Sequence, residues 1–183
     1  ASLSYITQKE KSAVSTGILC DLVKLSEKET DTEKLVSLIE KLNEDATIHG
    51  ILVQLPLPTK ISSPLVIRAI APEKDVDGFH AYNIGKMFIS SEFERLVPCT
   101  PMGVIKLLEY YKVPIKGQNI VIVGRSNLVG KPLAAMLINR DATVTVCHTK
   151  TQNLAKFTRE ADVLISAVGK PKIITNDMVK NGV

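Results

Sequence analysis

The stretch Ile120-Val121-Ile122-Val123-Gly124-Arg125-Ser126-Asn127-Leu128-Val129-Gly130-Lys131-Pro132 decides how the second half of this 183-residue chain folds. Four β-branched residues run into Gly124, which is typical of a buried parallel strand that stops at a tight turn. Pro132 falls in the first turn of the helix predicted after Gly130, where its missing N–H costs nothing. A strand, a glycine turn and a helix N-terminus form an anion site, because free backbone N–H groups meet the positive end of the helix dipole. The Gly-x5-Gly spacing departs from the usual dinucleotide fingerprint, so an ordinary strand-to-helix turn stays open as the alternative.

The next predicted strand carries the information on the cofactor. Residues 143–148 are rich in β-branched side chains, and Thr149 and Lys150 follow them with no acidic residue nearby. A NAD-binding fold normally offers Asp or Glu at this point to grip the ribose 2′-hydroxyl. A carboxylate would repel a 2′-phosphate, whereas Arg125, Thr149 and Lys150 can donate charge-assisted hydrogen bonds to one. The pattern favours NADP over NAD, with a chance arrangement of these residues as the alternative.

Helical and strand patterns alternate along the whole chain. Apolar periodicity predicts helices at residues 2–16, 30–43, 64–70, 102–111, 131–140, 151–160 and 176–180. It predicts strands at residues 19–25, 49–58, 120–123, 143–148 and 162–169. The alternation predicts an α/β fold of two α/β domains, residues 1–97 and 98–183, the second a Rossmann-like, doubly wound parallel sheet. The chain begins without Met and ends where another strand starts, so we expect a piece of a longer polypeptide, truncated at both ends.

Composition argues against several classes of protein. The formal net charge of +4 is small and dispersed and the chain has no tryptophan, which is unlike a nucleic-acid-binding protein. Three distant cysteines indicate neither a disulfide framework nor a metal motif, and the three histidines are equally scattered. No apolar run approaches the ~18–20 residues that span a bilayer, and no signal peptide precedes the first element. We therefore expect no metal, nucleic-acid or membrane partner, and a reduced, cytoplasmic compartment.

Three polar features of the first half allow both a functional and a structural interpretation. Tyr5 and Lys9 are four residues apart and share one helix face, a spacing that also recurs by chance on surface helices. Gln54 interrupts an apolar run at the carboxyl end of a predicted strand, where ligands of α/β sheets gather, although a core amide satisfied by its neighbours would look the same. Asp75 and Asp77 lie in a charged loop, which is usually only a solvated turn.

Five motifs that follow one another along the chain resemble a single family. They are Ser-x2-Tyr-x3-Lys, Gly-x-Leu-Val-Gln-Leu-Pro-Leu-Pro, Pro-x-Lys-Asp-Val-Asp-Gly, Pro-Cys-Thr-Pro-x-Gly and Val-Gly-Arg-Ser-x2-Val-Gly-x-Pro. Together they resemble the bifunctional methylenetetrahydrofolate dehydrogenase/methenyltetrahydrofolate cyclohydrolase family, from Ser2 to Val183. The resemblance implies that NADP accepts a hydride from 5,10-methylenetetrahydrofolate, and that water opens the methenyl product to 10-formyltetrahydrofolate. It also implies a homodimer, while the family's first strand and helix and its closing glycine-rich motif are absent.

The resemblance also implies a role for each matching residue of the first half. Lys9 matches the general acid/base lysine of the hydrolytic step, and Gln54 matches the glutamine that contacts and tunes it. Tyr5 matches the aromatic residue that stacks on the pterin, and Asp77 matches the carboxylate that hydrogen-bonds the pterin ring. Ser2 stands at a serine position with a supporting role in substrate binding.

On the cofactor side, the resemblance implies that Gly124, Arg125, Ser126 and Thr149 surround the phosphates of NADP. The family often has serine where Thr149 stands, and the hydroxyl is kept. The dehydrogenase step asks little covalent chemistry of the protein, which has only to hold two rings face to face.

Two other functions compete with this interpretation. A two-domain NADP oxidoreductase of the shikimate dehydrogenase type would share the cofactor turn, but should lack the Gln54 strand and the loop at residues 74–78. A binding module without turnover would not need Tyr5, Lys9, Gln54 and Asp77 together. A short-chain dehydrogenase also uses Tyr-x3-Lys, but there the pair follows the cofactor turn, whereas here it precedes Gly124.

Overall fold

The computed structural model describes residues 2–181, with side chains from Tyr5 onward. The chain divides into two compact units, the first ending at Ile70 and the second starting at Ala71. The domain boundary that we placed between residues 97 and 98 stays a prediction.

The first unit is built on three helices. They are α1 (Ser2–Ser15), α2 (Thr32–Glu44) and α3 (Ser63–Ala69). Asp31 caps the start of α2, since its carboxylate accepts a hydrogen bond from the backbone N–H of Lys34 at 2.8 Å. The predicted apolar face of α2 is confirmed, because its buried residues join the unit's core of Leu35, Ile39, Ile51, Ile61, Val66 and Ile70.

The two strands predicted in this unit are wrong. Residues 19–25 form no strand, and Leu19 is 98% exposed. Residues 49–58 form none either, apart from an isolated bridge at Ile51. Alternating apolar residues show which side chains can share a face, but a strand also needs a neighbour for its backbone hydrogen bonds.

The second unit carries the sheet. Its elements are α4 (Ala81–Ile89), α5 (Cys99–Tyr110), β1 (Asn119–Val123), α6 (Gly130–Ile138), β2 (Thr143–Cys147), α7 (Leu154–Thr158) and β3 (Val163–Ser166). Short 3₁₀ turns lie at Ser91–Phe93 and Asn176–Met178. The strands pair in parallel in the order β2-β1-β3, which confirms the predicted Rossmann-like sheet. The sequence did not indicate α4, a short helix that contains Asn83 and Gly85, two residues of low helix propensity.

Strand β1 is buried on both of its faces. Ile120 and Ile122 point into a core shared with α5 and α6, while Val121 and Val123 point into a second core with Cys147 and Ala161. A strand covered on both sides needs apolar residues at its buried positions, which is why residues 120–123 of β1 form an unbroken β-branched run.

A buried ion pair ties the end of α6 to the loop after α4. The guanidinium of Arg140 donates to both carboxylate oxygens of Glu94, at 2.9 and 2.7 Å, and to the backbone oxygen of Met136 at 2.9 Å. The Glu94 side chain is only 4% exposed and that of Arg140 23%. The hydrogen bond to Glu94 raises the pKa of Arg140 above its ordinary value, so the guanidinium stays charged at neutral pH.

We expect Arg140→Ala to destabilise the protein by about 3 kcal/mol, because it leaves the Glu94 carboxylate buried without its counter-ion. Urea denaturation of the variant measures the loss. Lys106→Ala is the control, since it breaks the exposed Lys106–Glu109 pair, whose contribution should stay below ~1 kcal/mol. Equal losses for the two variants would contradict the assignment of Arg140 and Glu94 as a buried, structural pair.

Candidate active site and cofactor site

Lys9 and Gln54 meet within the first unit, although 45 residues separate them in sequence. The Lys9 ammonium Nζ donates to Gln54 Oε1 at 3.2 Å. The amide nitrogen Nε2 of Gln54 donates to the backbone oxygen of Leu55 at 2.8 Å. Because that carbonyl takes the amide N–H, the amide oxygen is left to face Lys9. Gln54 therefore holds the end of the lysine side chain at a defined place.

Tyr5 stands one helical turn before Lys9 on α1. The Lys9 ammonium lies 5.6 Å from the centroid of the Tyr5 ring, within the range of a cation–π contact. The Tyr5 side chain is 64% exposed, so the ring can take a flat partner by stacking. A ring stacked on Tyr5 would then lie next to the ammonium of Lys9. Ser2 is the first residue of α1, and its side chain lies outside the described residues.

Asp77 belongs to the second unit, in a turn that precedes α4. It is half-buried, and the next residue, Gly78, closes the turn by donating its N–H to the backbone oxygen of Asp75 at 3.1 Å. Gly78 has a φ of +66°, and a Cβ there would lie 2.6 Å from the backbone of Val97. Both observations require glycine at this position. The aspartate loop is thus a specific turn rather than a loose solvated segment.

Two glycines permit the backbone packing of the turn after β1. Gly124 has a φ of +132°, and a Cβ on it would lie 2.4 Å from the backbone oxygen of Ala167. A Cβ on Gly130 would lie 2.1 Å from the backbone oxygen of Gly124. The end of β1, the end of β3 and the start of α6 therefore touch backbone to backbone. This close approach is what the glycines of a dinucleotide turn provide.

Ser126 fills a role that the sequence did not indicate. Its Oγ accepts hydrogen bonds from the N–H groups of Val129 at 3.0 Å and Gly130 at 3.4 Å, and its backbone oxygen accepts from Lys131 at 3.1 Å. The expectation of free N–H groups at the start of α6 is wrong for these three, because the hydroxyl and the backbone oxygen of Ser126 accept their hydrogen bonds. The Ser126 hydroxyl keeps its own proton and can still donate it to a phosphate oxygen.

The turn after β1 and the loop after β2 leave the sheet side by side. Val123 is the register partner of Cys147, and the Gly124 N–H donates to the Cys147 oxygen at 2.8 Å. Arg125 and Thr149, which follow these residues, are both exposed. A guanidinium and a hydroxyl at neighbouring strand ends can bind one phosphate together.

The loop after β2 is held by contacts that no sequence motif indicated. Thr151 Oγ1 accepts from the His148 N–H at 2.8 Å, and the Thr151 N–H donates to the His148 oxygen at 2.8 Å. His148 Nδ1 accepts from the Lys150 N–H at 3.1 Å. In the sequence, a threonine that makes such hydrogen bonds cannot be told from any other loop threonine, so these contacts could not be predicted from the sequence. Burial raises the pKa of the nearby Cys147 thiol, which stays neutral at pH 7.

An open groove of about 490 Å³ begins at the carboxyl end of β3. It is lined by Ser166, Val168, Gly169, Lys170, Pro171, Lys172, Ile173 and Ile174. From β1 the chain crosses to β2 on one side of it, and from β2 it crosses to β3 on the other side of β1. The direction of the strand order therefore changes between β1 and β3, and open α/β sheets bind nucleotides at such a topological switch point. The glycine turn, the groove and the Arg125 and Thr149 side chains together fit a dinucleotide phosphate.

Residues 2–181 offer neither a membrane span nor a cluster of metal ligands. No helix there is long and apolar enough to cross a membrane. Within the same range, no three His, Cys, Asp or Glu side chains cluster in a way that could hold a metal ion.

Family models match both parts of the chain. Residues 1–77 match the catalytic domain of tetrahydrofolate dehydrogenase/cyclohydrolase, and residues 98–183 match the NAD(P)-binding domain of the same family. The chain is 54% identical to the bifunctional protein FolD of Exiguobacterium sibiricum, over 98% of this chain and 64% of that protein. It is 53% identical to the bifunctional protein FolD of Methanosarcina barkeri, over 100% of this chain and 62% of that protein. The chain thus spans less than two thirds of the length of these relatives.

Solved structures give the same result. The chain superposes on the bifunctional enzyme FolD, methylenetetrahydrofolate dehydrogenase/cyclohydrolase, of Campylobacter jejuni with a TM-score of 0.94, at 45% identity over 100% of this chain and 64% of that one. A TM-score of 0.90 relates it, at 36% identity over 98% of this chain and 61% of that one, to the Trypanosoma brucei N5,N10-methylenetetrahydrofolate dehydrogenase-cyclohydrolase, whose structure is a complex with NADP and an inhibitor. These matches do not favour the shikimate dehydrogenase type or a binding module. The chain belongs to the tetrahydrofolate dehydrogenase/cyclohydrolase family, whose NAD(P)-binding domain is the part that residues 98–183 match.

Proposed function

We propose that the full-length protein that carries this chain oxidises 5,10-methylenetetrahydrofolate with NADP and hydrolyses the methenyl product to 10-formyltetrahydrofolate. The observation that carries the proposal is the hydrogen bond from Lys9 to Gln54 beside the exposed ring of Tyr5. A proton-transferring group, an amide that holds it and a stacking surface are what hydrolysis of a flat, cationic ring system needs. The relatives named above, bifunctional enzymes of this family, support the same activity.

In the hydrolytic step, Lys9 is the group that moves protons. Water adds to the methenyl carbon, and the side-chain nitrogen of Lys9 accepts a proton from it as general base. Lys9 then returns a proton to the ring nitrogen whose bond to that carbon breaks. The second proton of the water is released to solvent, so the products are 10-formyltetrahydrofolate and one H⁺. Gln54 accepts an N–H of Lys9 and so holds the nitrogen in place for these proton transfers.

In the oxidative step, the protein orients the substrate and supplies no covalent chemistry. NADP, when bound, provides the hydride acceptor. Tyr5 stacks on the pterin and Asp77 accepts hydrogen bonds from its ring, with Ser2 as a supporting contact in the same role. Because the folate is fixed in this way, hydride transfer from the folate to the nicotinamide ring of NADP takes place within one complex, as an effectively unimolecular step.

The cofactor is held by the second unit. Gly124 lets the backbone approach the phosphates, and Ser126 donates its hydroxyl proton to them. Arg125 and Thr149 bind the 2′-phosphate, a group that an acidic residue at the end of β2 would repel. The relative solved with NADP supports this choice of cofactor.

The absorbance of methenyltetrahydrofolate tests the proposal. We expect the full-length protein to form this product from methylenetetrahydrofolate, with a lower KM for NADP than for NAD. Arg125→Ser should raise the KM for NADP and leave the KM for NAD unchanged, because NAD has no 2′-phosphate. Absence of turnover with both cofactors would overturn the enzymatic proposal, and a variant that still prefers NADP would remove Arg125 from the cofactor site.

We also propose that the protein is a homodimer in the cytoplasm. The resemblance to a family of homodimers supports the assembly, and the free thiols of Cys20 and Cys147 agree with a reducing compartment. Sedimentation of the full-length protein at micromolar concentration would reveal the dimer, and a single monomeric species would contradict it.

A further inference from the structure

The carboxylate of Asp75 is buried two residues before Asp77. Asp75 is 1% exposed. Its Oδ2 accepts a hydrogen bond from the backbone N–H of His80 at 2.8 Å and another from the side-chain amide of Asn83 at 3.0 Å. A carboxylate is expensive to bury unless such donors replace its water, so these contacts hold it where it is.

Both donors belong to the beginning of α4. His80 is the N-cap of the helix, and Asn83 lies in its first turn. A carboxylate is favoured there, because the free N–H groups and the positive end of the helix dipole converge at a helix start. The Asn83 amide also donates to the backbone oxygen of Pro72 at 2.8 Å, so it ties together the two sides of the loop. Asp75 is thereby anchored to α4.

The other end of the same turn is held at Gly78. The Gly78 N–H donates to the Asp75 backbone oxygen at 3.1 Å, and Gly78 packs directly against the backbone of Leu96 and Val97. Asp77 therefore stands between two fixed points, the Asp75 carboxylate on one side and the Gly78 contact on the other. With both ends of so short a turn fixed, the backbone of Asp77 has little freedom left.

We propose that Asp75 is a positioning residue, whose hydrogen bonds to His80 and Asn83 fix the turn that presents Asp77 to the pterin ring of the folate. The inference rests on the proposed function for the role of Asp77. Asp75 itself need not touch the substrate, because it acts through the backbone that carries Asp77. An isosteric change at Asp75 should thus weaken binding of the folate and leave binding of NADP intact.

The test is a double-mutant cycle in the full-length protein with Asp75→Asn and Asp77→Asn. Affinity for 5-formyltetrahydrofolate, a stable folate, is measured at equilibrium by calorimetry, and affinity for NADP is measured in parallel. We expect Asp75→Asn to weaken folate binding roughly tenfold, about the effect of misaligning one hydrogen bond to a charged group. In the Asp77→Asn background the same change should have no further effect, since the residue it positions is already altered.

Asp162→Asn is the matched control. It makes the same chemical change in the same unit, at a carboxylate that accepts from the Asn119 N–H and from Lys180, and it should leave folate affinity unchanged. If Asp75→Asn does not fold, Asn83→Ala replaces it, because that variant removes one donor and keeps the carboxylate. Asn83→Ala should weaken folate binding in the same direction by a smaller factor.

Three outcomes overturn the inference. They are additive losses in the double mutant, an equal loss of NADP affinity, or a lower melting temperature with folate affinity unchanged, which would make Asp75 merely structural. Because binding is measured without turnover, an inactive wild-type protein that binds folate in the expected pattern would refute the proposed function and leave the inference standing.

Discussion

Lys9→Met is expected to lower the rate of methenyltetrahydrofolate hydrolysis by about 10²–10⁴-fold, the usual contribution of a positioned general acid/base. Methionine keeps the length and the apolar stem of lysine but can neither accept nor return a proton. It also leaves Gln54 Oε1 without the donor that it faces. The loss should appear as a slower decay of the methenyl absorbance, while the dissociation constant for NADP stays the same because the cofactor binds the second unit.

Lys11→Met is the control for this experiment. Lys11 lies on the same helix two residues further on, with an exposed side chain, so its replacement should leave hydrolysis unchanged. Normal hydrolysis in Lys9→Met would remove Lys9 from the catalytic role. A loss of hydrolysis that Lys11→Met shares would point instead to a general effect on α1.

Gly130→Ala is expected to destabilise the full-length protein by roughly 3 kcal/mol and to weaken NADP binding strongly. The new Cβ would lie 2.1 Å from the backbone oxygen of Gly124 and 2.9 Å from the Cα of Arg125, so the backbone of the turn has to move. That backbone carries the residues proposed to hold the phosphates, and the same clash therefore affects both stability and the cofactor site. Urea denaturation and an NADP titration measure the two effects.

Gly85→Ala is the matched change for this prediction. Gly85 lies within α4, and a Cβ there would meet no atom within 4 Å. Alanine at such a position should stabilise the protein by about 0.5–1 kcal/mol, because glycine loses more backbone entropy in a helix. Opposite signs at the two glycines would establish the clash as the cause. A stable Gly130→Ala protein with normal NADP affinity would refute the proposed packing of the turn.

The order of elements from α5 to β3 was predictable because it depends on local rules. A continuous apolar run predicts a buried strand, β1, and the glycine at its end predicts the turn that follows. Pro132 predicts the start of α6. The same rules failed in the first unit for residues 19–25. Alternating apolar residues indicate which side chains would share a face of a strand, but they do not show whether a neighbouring strand is there to pair with it. The helix α4 was missed because Asn83 and Gly85 disfavour a helix that tertiary contacts then stabilise.

The sequence by itself determined that a glycine turn follows β1, because a β-branched run stops at Gly124. It also determined the family, whose five ordered motifs can be read without coordinates. Tertiary structure decided the meeting of Lys9 with Gln54 and the anchoring of Asp75 to α4. Each of these is a hydrogen bond between groups that only the folded backbone brings within 3.5 Å. The identity of a side chain determines which hydrogen bonds it can donate or accept. The fold determines which partner it meets, and burial excludes the water that would otherwise compete for the bond.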